Sequence, residues 1–181
     1  MPLPPPEPPE RPEGPLPAVH VTDDRVTVTA ADRRGLLAAV AGCLALHRLE
    51  VVTADASTVD GLASVSCAVQ PRFGSFDASA LAADLRRALA GDAGLLRRLS
   101  RMGRSAAQAP RLVWFPTVLE VRAADSPGLL YRIAQALEDA GVDVRAARIS
   151  TLGAEVVDAF YLEGSWDRAA VEKAVAGALS G

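Results

Sequence analysis

Residues 26–37 read VTVTAADRRGLL, and residues 119–130 read LEVRAADSPGLL. Each stretch opens on alternating β-prone residues, passes through A-A-D-x-x-G-L-L and runs into a helical pattern. Sliding the chain on itself by 93 positions continues the match without a gap from Val26/Leu119 to Val69/Leu162, with 13 of those 44 pairs identical. The identities include Asp32/Asp125, Gly35/Gly128, Leu36/Leu129, Leu37/Leu130, Leu44/Leu137, Val51/Val144 and Ser57/Ser150. A repeat of this regularity means two copies of one small unit.

Working outward from the first turn, Val26 to Ala30 alternates as a strand. Leu37, Val40, Ala41 and Leu44 recur at helical spacing. Glu50 to Thr58 predicts a second strand, Asp60-Gly61 a hairpin, and Ala63, Val65, Cys67 and Val69 the buried face of a third. Leu81, Leu85 and Leu89 mark a second helix, with Asp77 as its cap. The second copy repeats the order. Val118 to Ala124 is a strand, and Ser126-Pro127 starts a helix with Ser as cap and Pro in the first position. Leu130, Ile133, Ala134 and Leu137 form its stripe, and Gly141 ends it. Val142 to Thr151 and the alternating run from Val156 to Leu162 give the next two strands, turning at Gly153. Trp166 to Leu179 is the closing helix, with Ser165 as a candidate cap.

Each copy is thus β-α-β-β-α. A right-handed crossover places both helices on one face, and the fold class is α+β, two ferredoxin-like units. A fourth strand would complete each sheet. Arg111 to Phe115 can supply one for the first copy, and Val19 to Val21 is the candidate left for the second. The domain reading is a Pro-rich tail over residues 1–18, a first unit over 19–104 with an extra helix, a linker over 105–111 and a second unit over 112–181. Proline fixes φ and lacks an N–H donor, so PLPPPEPPERPEGPLP at residues 2–17 predicts an extended segment. Between the units, Leu95, Leu96, Leu99 and Met102 with Arg97, Arg98, Arg101 and Arg104 predict a short basic amphipathic helix. It is read as resting on its neighbour or as touching an acidic partner.

Composition narrows the function. Half of the 181 residues are apolar and the formal net charge is −3, which argues against a nucleic-acid partner. Aromatics for base stacking reduce to Phe160 and Tyr161. Cys43 and Cys67 lie in apolar stretches and read as small buried hydrophobes. With no apolar run of membrane-span length and no secretory leader pattern, we expect a cytoplasmic protein without a membrane partner. His20 reads as exposed near the tail, and His47 as helping to cap helix carbonyls. We expect no catalytic centre, metal or cofactor: Asp125 and Asp158 as an acid/base pair have no His, Cys or metal cluster nearby in sequence.

The repeated turn has its own chemistry. The first N–H groups of a helix and its dipole favour a carboxylate, Gly lets a ligand approach the backbone, and Asp can accept from an ammonium. Those complements suit a free amino acid. Equally, Asp before a helix is an ordinary N-cap and Gly serves a turn.

D-x-x-G-L-L after the first strand of a β-α-β-β-α unit resembles the ACT domain, a small regulatory module of amino-acid metabolism. The resemblance covers residues 25–104 and about 112–181. It implies units paired side by side through their sheets, within or between chains. It also implies a small ligand at the unit–unit interface, held by the first turn and the start of the partner unit's second strand. On this chain that points to Asp125, Ser126, Gly128 and Leu129, to Asp32, Arg33, Gly35 and Leu36, and to the strand starts Glu50, Val51, Asp143 and Val144. The phrases P-G-L-L-Y-R-I, A-R-I-S-T and V-V-D-A-F-Y-L resemble the last ACT unit of the bifunctional enzymes that uridylylate and deuridylylate the PII nitrogen-signalling protein. This implies a glutamine sensor working with catalytic nucleotidyltransferase and HD domains, in cis or in trans, and through them on PII. The chain itself has no Gly-Ser with a following Asp-x-Asp pair for Mg²⁺-assisted phosphoryl transfer. An interaction module with no small ligand is the alternative. The first copy departs from the family turn at Arg34, where the second has Pro127, so the second turn is the closer match.

Overall fold

A computed structural model describes residues 4–7, 12–101 and 109–180. The elements run β1 (Ala18–Val21), β2 (Arg25–Ala31), α1 (Leu36–Leu46), β3 (Leu49–Val59), β4 (Leu62–Pro71), α2 (Ala78–Leu89), α3 (Ala93–Ser100), β5 (Arg111–Trp114), β6 (Val118–Ala124), α4 (Leu129–Asp139), β7 (Asp143–Leu152), β8 (Glu155–Glu163) and α5 (Arg168–Leu179). The two units share one antiparallel sheet in the order β1-β2-β4-β3-β7-β8-β6-β5. The units meet at β3 and β7, whose register pairs Thr53 with Ser150, Asp55 with Arg148 and Ser57 with Ala146.

The alternating strands keep their expected inward faces. Ala63, Val65, Cys67 and Val69 of β4 are buried, as are Val156, Asp158, Phe160 and Leu162 of β8. Against them pack Leu37, Val40 and Leu44 of α1, Leu81 and Leu85 of α2, Ile133 and Leu137 of α4, and Val171 and Val175 of α5 in one continuous core. Truncating any of these large side chains removes buried apolar contact and leaves a cavity, at about 2–5 kcal/mol for a Leu or Ile.

The edge strands fall the other way round from the sequence expectation. β1 pairs with β2 and closes the first unit, and β5 pairs with β6 and closes the second. A two-residue connection decides it. Phe115 and Val118 exchange backbone hydrogen bonds around Pro116-Thr117, and Thr22 donates to the Arg25 carbonyl around Asp23-Asp24. Such tight hairpins lay each edge strand on the strand that follows it, before any longer connection competes.

Two helix starts also differ. α4 begins at Leu129, with Gly128 at φ 70° in the cap position and no side-chain cap, so Ser126 and Pro127 belong to the turn. α5 begins at Arg168 and is capped by Asp167, which accepts from the Ala169 amide, in place of Ser165. Asp77 caps α2 as expected. The basic helix between the units is α3, capped by Asp92. Its Leu95 and Leu99 are buried in the main core, so it belongs to the first unit's packing. Met102 and Arg104 lie outside the described residues. His20 is exposed. The His47 ring reaches Asp84 on α2 at 3.1 Å, and only the His47 backbone caps α1. Both cysteines are buried free thiols, pushed up to about 12 chiefly by desolvation. Residues 4–7 and 12–17 carry neither helix nor strand, and the Glu7 carbonyl accepts from the Ser57 hydroxyl at 3.1 Å. No helix among the described residues is long and apolar enough to cross a membrane.

Candidate functional site

The fold gathers the candidate residues into two related pockets at the seam between the units. Asp125, Ser126, Gly128 and Leu129 of the second turn meet Glu50 and Val51 at the start of β3. Asp32, Arg33, Gly35 and Leu36 of the first turn meet Asp143 and Val144 at the start of β7. The pairing of β3 with β7 causes this, because it carries the start of each central strand to the helix-opening turn of the other unit. Both are partly open to solvent, and their volumes are small, about 40 Å³ and about 60 Å³.

Local chain geometry positions both turns alike. The Asp32 amide donates to the Gly61 carbonyl and the Asp125 amide to the Ala154 carbonyl, tying each turn to the hairpin of its own unit. Gly35 at φ 76° and Gly128 at φ 70° sit in the left-handed region, which glycine enters at little cost. Neither aspartate caps its helix: α1 and α4 have no side-chain cap hydrogen bond. The capping reading of Asp32 and Asp125 therefore does not hold, and both carboxylates are left for other partners.

The second-turn pocket is the more polar. Arg72, just past the end of β4, pairs with Glu50 of its own unit at 3.6 Å and reaches across the seam to Asp125 at 3.8 Å. Arg132 of α4, 7% exposed, donates to the Pro127 carbonyl at 2.7 Å and the Ser126 hydroxyl at 2.8 Å. That clamp explains why Ser126 does not cap. Burial holds the Arg132 guanidinium below its ordinary value. The Thr151 hydroxyl donates to the Val51 carbonyl at 2.8 Å and fastens β7 to the start of β3. Asp158 lies at the floor, buried, its carboxyl pushed up to about 8, first by desolvation and further by the charge of Asp125. Sequence reasoning considered Asp158 only as an acid/base partner of Asp125 and did not assign it to the pocket. The signal was a carboxyl in an otherwise apolar stripe. Arg72 gave no comparable signal, since its partner on the second turn, Asp125, comes from the other unit.

The first-turn pocket differs at two points. Arg33 turns away and donates to the Leu89 carbonyl at 2.8 Å and the Ala88 carbonyl at 3.2 Å, so it closes the end of α2. The Glu138 carboxylate lies over Gly35, where an added Cβ would come within 2.6 Å of its Oε1. In the other pocket the repeat-equivalent of Glu138 is Ala45, and a Cβ on Gly128 would sit 3.7 Å from the Ala45 methyl. One turn is therefore covered by an acid from the partner unit, whereas the other has the Ala45 methyl and Arg132 Nη1 at ordinary contact distance, 3.7 Å each from such a Cβ. No cluster of three or more metal-ligating side chains occurs among the described residues.

The sequence model of the ACT domain matches residues 117–178. The chain is 44% identical over 158 residues to the bifunctional uridylyltransferase/uridylyl-removing enzyme of Streptomyces coelicolor, covering 75% of this chain and 19% of that protein. It is 33% identical over 176 residues to the enzyme of the same description from Mycobacterium tuberculosis, covering 81% and 22%. With that of Rhodospirillum rubrum it is 31% identical over 178 residues, covering 88% and 19%. The chain thus spans about a fifth of the length of these relatives.

Proposed function

We propose, from the premise that residues 117–178 are an ACT domain, that this chain is an amino-acid-sensing regulatory region of a uridylyltransferase/uridylyl-removing enzyme. Glutamine is the ligand in this reading. It sets whether catalytic nucleotidyltransferase and HD domains, in cis or in trans in the cytoplasm, modify PII or remove the modification. The chain itself would act without catalysing.

One observation carries the reading. The second-turn pocket brings a guanidinium, Arg72, between two carboxylates, Glu50 and Asp125, contributed by different units. An α-amino acid presents the complementary pair of charges. Its carboxylate would pair with Arg72, and its ammonium with Asp125 or Glu50, in place of the existing ion pairs. Because the partners straddle the seam, such a ligand would change how the units pack, which a sensor requires. At about 40 Å³ the pocket must open to admit an amino acid, so binding and movement would be coupled.

Titration calorimetry of the whole chain against the twenty amino acids, followed by thermal melts, tests this. Binding of glutamine that is lost in Asp125→Ala and Arg72→Ala supports it. At 100 times its dissociation constant a ligand adds about 2.7 kcal/mol to stability. No binding of any amino acid at millimolar concentration sinks the reading. The small volume favours a second reading, an ACT-type pairing module without a small ligand. That reading expects the silent titration together with retained binding to the catalytic domains in sedimentation.

A further inference from the structure

The inward stripe of β8 is Val156, Asp158, Phe160 and Leu162, all buried. A carboxyl in such a stripe is an anomaly of packing. Asp158 is 1% exposed; the Ser150 backbone amide donates to its carboxyl, and its Oδ1 has no hydrogen-bond partner among the described residues. The repeat gives an internal control. The equivalent position of the first unit is Val65, 2% exposed in the same kind of strand. The fold therefore does not need a carboxyl there, and the difference belongs to the pocket.

The pocket is where Asp158 stands. It lines the small cavity together with Glu50, Arg72, Asp125, Ser126 and Thr151. We propose that the Asp158 carboxyl reads the ligand of this pocket by accepting a hydrogen bond from a ligand N–H, either an ammonium or a carboxamide. This rests on the amino-acid reading above and deepens it by naming the group that discriminates. A ligand that brings no N–H leaves the acceptor oxygen of Asp158 unpaired in the buried site and binds more weakly, even where the protonated acid can donate to a ligand oxygen.

The charged and titratable groups around Asp158 are consistent with this role. Asp125 on the β6–α4 turn raises its affinity for a proton, and Glu50 on β3 adds negative charge to the pocket. Arg72, just past the end of β4, is held between Glu50 and Asp125. On α4, Arg132 is engaged with Pro127 and Ser126, and Tyr131 is held protonated by burial. With its carboxyl near 8, Asp158 carries its proton at pH 7. An arriving ammonium would favour the ionised form, and the proton would leave to the buffer. A carboxamide would leave the proton in place.

The test is calorimetry of the whole chain with L-glutamine at pH 7, in two buffers of different ionisation heat, for wild type, Asp158→Asn and Asp158→Val. Val is the residue the first unit already carries at this position, so Asp158→Val is expected to fold, which a thermal melt checks. The expected result is a loss of at least tenfold in affinity for Asp158→Val. Asp158→Asn, which keeps an acceptor oxygen, should lose less and should show no proton release. Release close to one proton per ligand in wild type assigns the contact to an ammonium, and no release assigns it to the carboxamide. Affinity within twofold of wild type in both variants overturns the role of Asp158 while leaving the amino-acid reading intact. Silence of the wild type itself removes that reading and this one together.

Discussion

Asp55 and Arg148 occupy the same position in the two copies, and they face each other as register partners at the centre of the sheet, Arg148 Nε donating to Asp55 Oδ1 at 3.0 Å. They therefore mark the pseudo-two-fold axis relating the units. Pairing two first units through this strand would set Asp against Asp, and pairing two second units Arg against Arg. Like charges directly opposite on neighbouring strands destabilise a sheet, so the pair favours the mixed arrangement found within the chain.

Asp55→Arg should accordingly weaken the seam, and Asp55→Arg with Arg148→Asp should restore it. The pair is partly exposed, which limits its worth to roughly 0.5–1 kcal/mol. Urea unfolding of the single and double variants measures the coupling. Additive losses would assign the effect to the individual strands.

Glu138→Ala should uncover the first turn. Wild type is expected to bind one glutamine per chain, at the second turn, because Gly35 is covered and Gly128 is not. Removing the carboxylate should add a second and weaker binding event, weaker because Val65 stands where Asp158 does. A calorimetric stoichiometry still fixed at one would show that the covering acid is not what silences that turn.

Stability should fall as pH rises from about 4 to about 8. Asp158 is raised in the folded state from 3.8 to about 8, so in that window the folded protein holds a proton that the unfolded chain has released. Unfolding then sheds a proton, higher pH favours it, and the contribution levels off above the folded value. Asp158→Asn should flatten this limb of the profile, read as melting temperature against pH. A slope equal to that of wild type would mean that other groups produce it.

Gly42→Ala should cost about 1 kcal/mol, although alanine is the better helix former by a similar amount. Its Cβ would lie 2.9 Å from Leu99 Cδ1 and 3.1 Å from Tyr131 Cδ2, so α3 and α4 both press on α1 at this point. Combining it with Leu99→Ala should cost less than the sum of the two changes. Strict additivity in denaturant titrations would mean that α3 does not pack there.

The repeat, the hairpins at Asp60-Gly61 and Gly153, and the inward faces of β4 and β8 were legible in the sequence because their signals are local. Pairing of the units brought Glu50 and Val51 to the second turn and Asp143 and Val144 to the first, as the family resemblance implied. Arg72 and Glu138 were not legible, since each acts across the seam on a residue of the other copy. The edge strands were misread for a related reason. A ferredoxin-like order invites a strand after the second helix, but two-residue turns at Asp23-Asp24 and Pro116-Thr117 settled the pairing locally. For α3 the choice between resting on its neighbour and touching an acidic partner stayed open in the sequence, because Leu95 and Leu99 find their cover only in the assembled core.

The seam also bears on how the chain is made. With β1 lying ahead of β2 in sequence, the first unit has all of its own strands once α2 has been synthesised. Its β3 nevertheless remains an open edge until β7 emerges, since Arg148 follows Asp55 by 93 residues. At about 5–20 residues per second of synthesis that interval is on the order of 5–20 s. An eleven-residue strand with one edge left open for so long is a template for the wrong neighbour. The carboxylate of Asp55, midway along it, repels a second nascent copy until the arginine it is matched to arrives.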